Sequence, residues 1–421
     1  MLVVVWTIAF SWEWSFIDDA GLKSAVNDYT DRFGAGGLLT LFVDLQDADR
    51  KWGLFRPAYH AFTAFFYLGN PAVAHGVRLA MLLAVLLIPA VKLGRDSVTT
   101  LLAFAVLAAN VTLYQGLSYL SLQELSGLAF VALGLLSEGP LRRSLLWLIA
   151  AWFKTPFVWL FLAWSVYLLV RRKHSAWVLL AVVNMVIGVA TIGLAASASR
   201  QGTYTQGFSL VNLPAAIESA IPLFFWPGVV GLASVIALRP RWRTIEWRDP
   251  MAWVFLVGGA LYLGNLLPWG HADSYYGAPP IWLMSVGVIR MVWPAERGTY
   301  RFAQPVTVAA MVVALLGGAY VCQKMVRQQI DRNAAVVGAR DFVASMPSSA
   351  TVSLNGPEPA ERLGQIMNFH GAPRKIGFVS DENTTDTPNY YIYFHDQSNG
   401  NARLRGKVVK QMNMATIYAT G

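Results

Sequence analysis

Two adjacent carboxylates, Asp18 and Asp19, follow directly on an apolar run over residues 1–16. A carboxylate placed just beyond a membrane-spanning segment can accept the proton of a hydroxyl. A second carboxylate beside it raises the basicity of the pair or orients what binds there. A solvated loop charge or a helix N-cap is the plainer reading of the same two residues. The polar stretch that starts with them closes on Trp52-Gly53-Leu54-Phe55-Arg56-Pro57. Proline fixes the chain as it enters the next helix, and the arginine fork suits phosphate or carboxylate.

Further along, Lys154-Thr155-Pro156 interrupts the apolar stretch 144–170. Pro156 has no N–H to give a helix and holds Thr155 extended, so two short helices with a break are expected. Irregular backbone at membrane depth persists only where protein or a water-filled cavity surrounds it. A lysine at such a break is a site candidate; a lysine snorkelling to headgroups is the alternative. Glu124 heads the apolar run 122–137 and needs a partner such as Lys154 or Arg78. His75 and Arg78, three apart on one helical face, either bind a lipid phosphate or pair with headgroups.

In Gly270-His271-Ala272-Asp273-Ser274-Tyr275-Tyr276, His271 is suited to meet a leaving phosphate or relay a proton. Tyr275 and Tyr276 are suited to line a lipid or sugar pocket, although an aromatic belt with an exposed histidine has the same spelling. Asp47-Ala48-Asp49 spells the short pattern that holds a metal-bound nucleotide diphosphate in soluble sugar transferases. It falls on the non-cytoplasmic side, where nucleotide sugars are absent, and is discounted. Asn383-Thr384-Thr385 spells a glycosylation sequon. The chain has no glycine-rich phosphate loop, no metal-ligand histidine pair and no Gly-x-Ser-x-Gly elbow.

The elements that must position these residues follow from composition. The 421 residues are 55% hydrophobic and 14% charged, with mean hydropathy +0.45. Soluble domains carry about 25% charged residues, so a polytopic membrane protein is expected. The formal charge of +9 is concentrated in residues 52–322, which hold 18 basic and 8 acidic residues. It lies in short connections between apolar runs and so speaks for topology rather than for nucleic acid. Apolar runs fall at about 1–16, 72–91, 98–113, 122–137, 144–153, 156–170, 176–196, 222–238, 251–267, 278–293 and 303–322.

Every second connection is basic: Lys92 and Arg95; Arg142 and Arg143; Arg171, Arg172 and Lys173; Arg239, Arg241, Arg243 and Arg248; Arg297 and Arg301. The positive-inside rule then places the amino terminus in the cytoplasm, with the loop at 17–57 and the carboxy-terminal segment outside. That loop carries 7 acidic and 5 basic residues, and 58–70 reads as an interfacial amphipathic helix. The single cysteine, Cys322, excludes an intrachain disulfide framework.

From about residue 332 the texture changes. Helices are expected at 333–346 and 357–369, with short strands at 351–354, 375–380, 390–395, 407–411 and 416–419. The expected architecture is mainly α: a transmembrane helical bundle of about 11 spans over 1–322, with a small extracytoplasmic α/β domain over 323–421.

Taken in order and on one side, these features resemble the GT-C superfamily of membrane glycosyltransferases, which take sugars from polyprenyl-phosphate donors. The resemblance covers roughly 1–322. It rests on Asp18-Asp19 after the first span, Trp52 through Pro57, Ser121-Leu122-Gln123-Glu124, Lys154-Thr155-Pro156 and the His271 to Tyr276 loop. Many relatives have Asp-Glu where this chain has Asp-Asp. By position the resemblance implies that Asp18 or Asp19 is the base or acceptor-binding group. It makes Arg56, Lys154 and His271 donor-phosphate residues; Arg78 joins them as a phosphate-side residue, with Glu124, Tyr275 and Tyr276 on the substrate.

The implied reaction is inverting transfer of a hexosyl or pentosyl group to an envelope glycan, lipid or protein acceptor, at the outer side of the cell's inner (plasma) membrane. No cofactor is required, although some relatives use a divalent metal. The rival from another class is a transporter or flippase for a lipid-linked or anionic substrate. Buried Lys154, Arg78 and Glu124 would fit it, but no repeated halves or paired broken helices accompany them.

Overall fold

A computed structural model of the chain describes residues 18–51, 54–69, 71–94, 96–118, 123–171, 174–197, 210–238, 248–267 and 274–292, and parts of 305–346 and 352–419. The fold is mostly helical with a small carboxy-terminal sheet. Among the described residues, three helices are long and apolar enough to cross a membrane. The apolar run at 1–16 and the helix expected at 357–369 lie outside the described residues. Contacts divide the chain into two compact units, one holding Leu38–Leu117 and Leu122–Cys322, the other Trp12–Gly37, Ser118–Ser121 and Gln323–Gly421.

The polar stretch at 17–57, expected as the first loop outside the membrane, holds two helices, α1 (Asp18–Phe33) and α2 (Gly37–Lys51). Their polar residues include pairs at helical spacing, Arg32 with Asp28 and Arg50 with Asp47, which support a helix without making it apolar. Gly34, at φ +61°, turns the chain between them.

In the first unit, Pro57, Pro71, Pro140 and Pro250 each open a helix, where the missing N–H has no helical partner to lose. Helix α3 (Pro57–Phe66) is the short helix after Arg56, and α4 (Pro71–Leu93) follows it. Along α4, Val73, Val77, Leu87 and Val91 point outward while Leu82, Val85 and Leu86 are fully buried. That division gives one face to a lipid-like surround and the other to packing.

Helix α5 (Ser97–Ala108) starts on an Asp96–Thr99 capping box. It stops short of the expected 98–113. The Asn110 amide donates to the Ala278 carbonyl at 2.9 Å, and the Tyr114 hydroxyl donates back to Ala108 at 3.0 Å. These bonds hold a 3-10 turn, Val111–Tyr114. Helices α6 (Gln123–Leu136), α7 (Pro140–Phe153), α8 (Val158–Arg171), α9 (Ser175–Ser197), α10 (Leu213–Leu238), α11 (Pro250–Leu266) and α12 (Ala278–Val292) complete this unit's described helices.

Three large tryptophans of the core have their ring N–H groups satisfied, as burial favours. Trp147 donates to the Val131 carbonyl at 3.1 Å, Trp164 to the Ser144 hydroxyl at 2.9 Å and Trp282 to the Val85 carbonyl at 3.0 Å. Glycines let α6 approach this core closely. A Cβ on Gly127 would lie 2.3 Å from Phe157, and one on Gly134 would lie 2.1 Å from Trp147.

The second unit carries a five-stranded sheet in the order β2-β1-β3-β5-β4, from β1 (Val352–Asn355), β2 (Phe378–Val379), β3 (Tyr390–Phe394), β4 (Lys407–Met412) and β5 (Ala415–Ala419). β1 runs parallel to β2 and β3, while β5 lies antiparallel between β3 and β4. Ile392 faces Ile417 across β3 and β5, and both are buried.

Candidate functional site

The break expected at Lys154 is present. Lys154 N–H makes the last helical bond of α7, to the Ala150 carbonyl, and its backbone then extends to φ −145°, ψ 114°. A 3-10 turn over Thr155–Phe157 follows before α8 begins. The lysine side chain crosses to α6, where its Nζ lies 2.8 Å from Glu124 Oε1. Glu124 is 3% exposed. Lys154 Nζ also sits 4.6 Å from the centre of the Tyr276 ring, a cation–π geometry.

The local sequence explains why these groups meet. Gly127 is one helical turn after Glu124, and Phe157 is one turn after Lys154. Seating Phe157 against Gly127 therefore sets the spacing of the two charges. Tyr262 on α11 packs edge-on against Phe157, with centroids 5.1 Å apart. Its hydroxyl is buried and has no hydrogen-bond partner among the described residues.

A second charged cluster forms where α2 gives way to α3. Arg56 Nε donates to Asp49 Oδ2 at 2.7 Å, and the guanidinium also engages Oδ1, making a two-pronged contact. His60, one turn into α3, places Nε2 2.6 Å from the same Oδ2. The guanidinium lies 5.1 Å from the Tyr59 ring centre. Burial works against ionisation of Asp49, but the hydrogen bonds from His60 and then Arg56, with their charges, outweigh it and hold the carboxyl below its usual range.

The two clusters are tied together. The Thr155 hydroxyl donates to the Phe55 carbonyl at 3.4 Å, which joins the α7–α8 break to the segment before Arg56. Arg56 is also near enough for its charge to act on Lys154.

Arg78 is 1% exposed on α4. It donates to the Ser126 hydroxyl at 3.0 Å, two residues beyond Glu124, and its guanidinium lies 5.8 Å from the Phe66 ring centre. His75 Nδ1 lies 3.2 Å from the Leu117 carbonyl oxygen. Glu124 therefore takes Lys154 as its ion-pair partner, while Arg78 engages the next turn of the same helix.

Asp18 and Asp19 open α1 in the other compact unit, and their side chains lie outside the described residues. Tyr275 falls in the 3-10 turn Ser274–Gly277, its side chain likewise outside them, and His271 lies outside entirely. Arg56, Lys154, Glu124 and Tyr276 are the site candidates that the structure gathers, with Arg78 bonded to the same helix as Glu124. Asp49, His60 and Tyr262 were missed. Asp49 was dismissed with its Asp-x-Asp spelling, and indeed Asp47 turns outward to Arg50 while Asp49 turns inward. The i,i+4 spacing of Arg56 and His60 on a proline-started helix was the available signal. Tyr262 had none, because it is buried inside an apolar run.

Chemically, this is a buried array of two cations each matched by a carboxylate, with histidine and tyrosine beside them. Arg56 and Lys154 are the groups that could meet an anion. Among the described residues, no three histidine, cysteine or acidic side chains gather as metal ligands. Compared with family models, curated proteins and solved structures, the chain matches none.

Proposed function

We propose that this protein is a membrane glycosyltransferase of GT-C type, moving a sugar from a polyprenyl-phosphate donor to an envelope glycan, lipid or protein acceptor with inversion. The supporting observation is the joining of the Arg56–Asp49 and Lys154–Glu124 pairs at a chain break within an apolar helical unit. In this reading some 11 spans carry the chain. The amino terminus is cytoplasmic, and the site and the carboxy-terminal domain face outward.

Arg56 and Lys154 meet the donor phosphate, with Arg78 and His271 beside them. In a low-dielectric site, fixed cations stabilise the charge that develops on a departing phosphate. The acceptor oxygen attacks the anomeric carbon from the opposite face, and polyprenyl phosphate leaves. Asp18 or Asp19 serves as base or acceptor-binding group, and Glu124, Tyr275 and Tyr276 line the substrate. The test is release of polyprenyl phosphate by purified Asp18→Asn and Asp19→Asn variants. One of them is expected to lose at least ~100-fold in kcat/KM at unchanged expression. Wild-type values in both would count against the assignment.

A further inference from the structure

Arg56 is the cation assigned to a phosphate, yet a carboxylate already grips it. Asp49 Oδ2 accepts from Nε at 2.7 Å, and Oδ1 engages Nη2. The two side chains are only 14% and 8% exposed. A guanidinium stays charged at any working pH, and a long cationic side chain otherwise carries its head out to water. Pairing with Asp49 lets this one stay among apolar helices.

The contact also fixes direction. Two prongs on one edge hold the plane of the guanidinium, which a single bond to a rotating ammonium would not do. The guanidinium lies over the Tyr59 ring, 5.1 Å from its centre. Asp49 is held in turn by His60, which is 3% exposed and has Nε2 2.6 Å from Oδ2. An ionised carboxylate only accepts, so Nε2 donates. Backbone bonds close the same segment: Leu54 N–H donates to the Asp49 carbonyl at 2.9 Å, and His60 N–H to the Arg56 carbonyl at 3.2 Å. Asp47 and Arg50 on α2 make the contrasting case, a pair at the surface with both side chains more than half exposed.

We infer that Asp49 and His60 are positioning residues for donor recognition. Asp49 aims the opposite edge of Arg56, Nη1 with the second N–H of Nη2, at the donor phosphate, and His60 holds Asp49 in that pose. Neither touches substrate. This rests on the glycosyl-transfer reading. Displacing a substrate-holding group by about 1 Å lowers the rate roughly 100-fold, so the aim of Arg56 matters as much as its charge.

The test uses purified variants with a polyprenyl-phosphate sugar as donor and a glycan acceptor. Asp49→Asn should lower kcat/KM for the donor roughly 100-fold and leave acceptor KM unchanged. Arg56→Lys keeps the charge but loses the planar fork. The double variant Asp49→Asn/Arg56→Lys should fall no more than a few-fold below Arg56→Lys alone, because Asp49 acts only through the guanidinium. His60→Ala should lose about tenfold in the same quantity. His60→Gln still offers an N–H to Asp49 and should recover most of that loss. Asp47→Asn removes the same charge from the same helix and should match wild type. Losses that multiply in the double variant, or an Asp49→Asn variant within a few-fold of wild type, would overturn this inference and leave the glycosyl-transfer reading standing. Should Asp49→Asn not fold, the His60 variants decide, and wild-type turnover in His60→Ala would overturn the inference. A wild type that releases no polyprenyl phosphate would overturn the glycosyl-transfer reading and this inference with it.

Discussion

Replacing Lys154 with methionine tests the buried pair most sharply. Glu124 is 3% exposed and its side chain has Lys154 Nζ at 2.8 Å. Methionine fills much of the lysine stem but removes the charge, leaving a carboxylate buried without its counter-ion. Breaking a buried pair in this way costs about 3–5 kcal/mol. The Lys154 side chain is 15% exposed against 4% for Glu124, so the converse change, Glu124→Gln, strands the better-solvated partner and should cost less. The double variant Glu124→Gln/Lys154→Met removes both charges and should return to within about 1 kcal/mol of wild type, because neutral replacement of a buried pair is often tolerated.

Denaturant unfolding in mixed micelles, read by tryptophan fluorescence, gives all three values as a double-mutant cycle. Polyprenyl phosphate release is measured on the same samples. The expected result is a double variant that is stable and inactive. A Lys154→Met loss below ~1 kcal/mol would refute the uncompensated-charge argument. Recovery of turnover in the double variant would refute a phosphate role for Lys154.

Two further outcomes follow from named contacts. Gly127→Ala puts a methyl 2.3 Å from Phe157, so α6 and the break must separate. A destabilisation of about 1–3 kcal/mol is expected in the same unfolding assay, with turnover reduced because Glu124 and Lys154 lose their spacing. Asp49→Asn removes a carboxylate whose folded pKa lies below the ordinary value. Stability from such a group is present above about pH 3.9 and lost as pH falls through the lower folded value. The stability gap between wild type and Asp49→Asn should therefore stay constant from neutral pH to about pH 5 and close in stronger acid. A gap that widened on acidification would contradict the Asp49 ionisation argued here.

The helices and strands were legible because each has a pattern its packing reuses. Val73, Val77, Leu87 and Val91 mark the outward stripe of α4, and Tyr390–Phe394 is the aromatic and β-branched run that suits a strand. The Lys154 break was legible from Pro156, since a missing N–H is a local constraint that no tertiary contact removes. The ion pair of Lys154 with Glu124 was legible as a need for a partner, though not as a choice between Lys154 and Arg78. That choice depends on Gly127 admitting Phe157, a contact 30 residues apart in the chain. The helices within 17–57 were not legible from the count of charges alone, since α2 sets an apolar series, Leu38, Leu41 and Leu45, among its polar residues. Asp49 and His60 were hidden for a related reason, since α2 and α3 had first to fold before an 11-residue separation became a 2.6 Å contact.

The most direct measurement follows the donor itself. Purified protein in lipid vesicles is given a polyprenyl-phosphate sugar and an envelope glycan acceptor, and the lipid products are resolved by mass spectrometry. The account predicts free polyprenyl phosphate in step with glycosylated acceptor, abolished in Arg56→Ala. Intact donor appearing on the opposite leaflet, with no sugar transferred, would contradict it and identify a transporter instead.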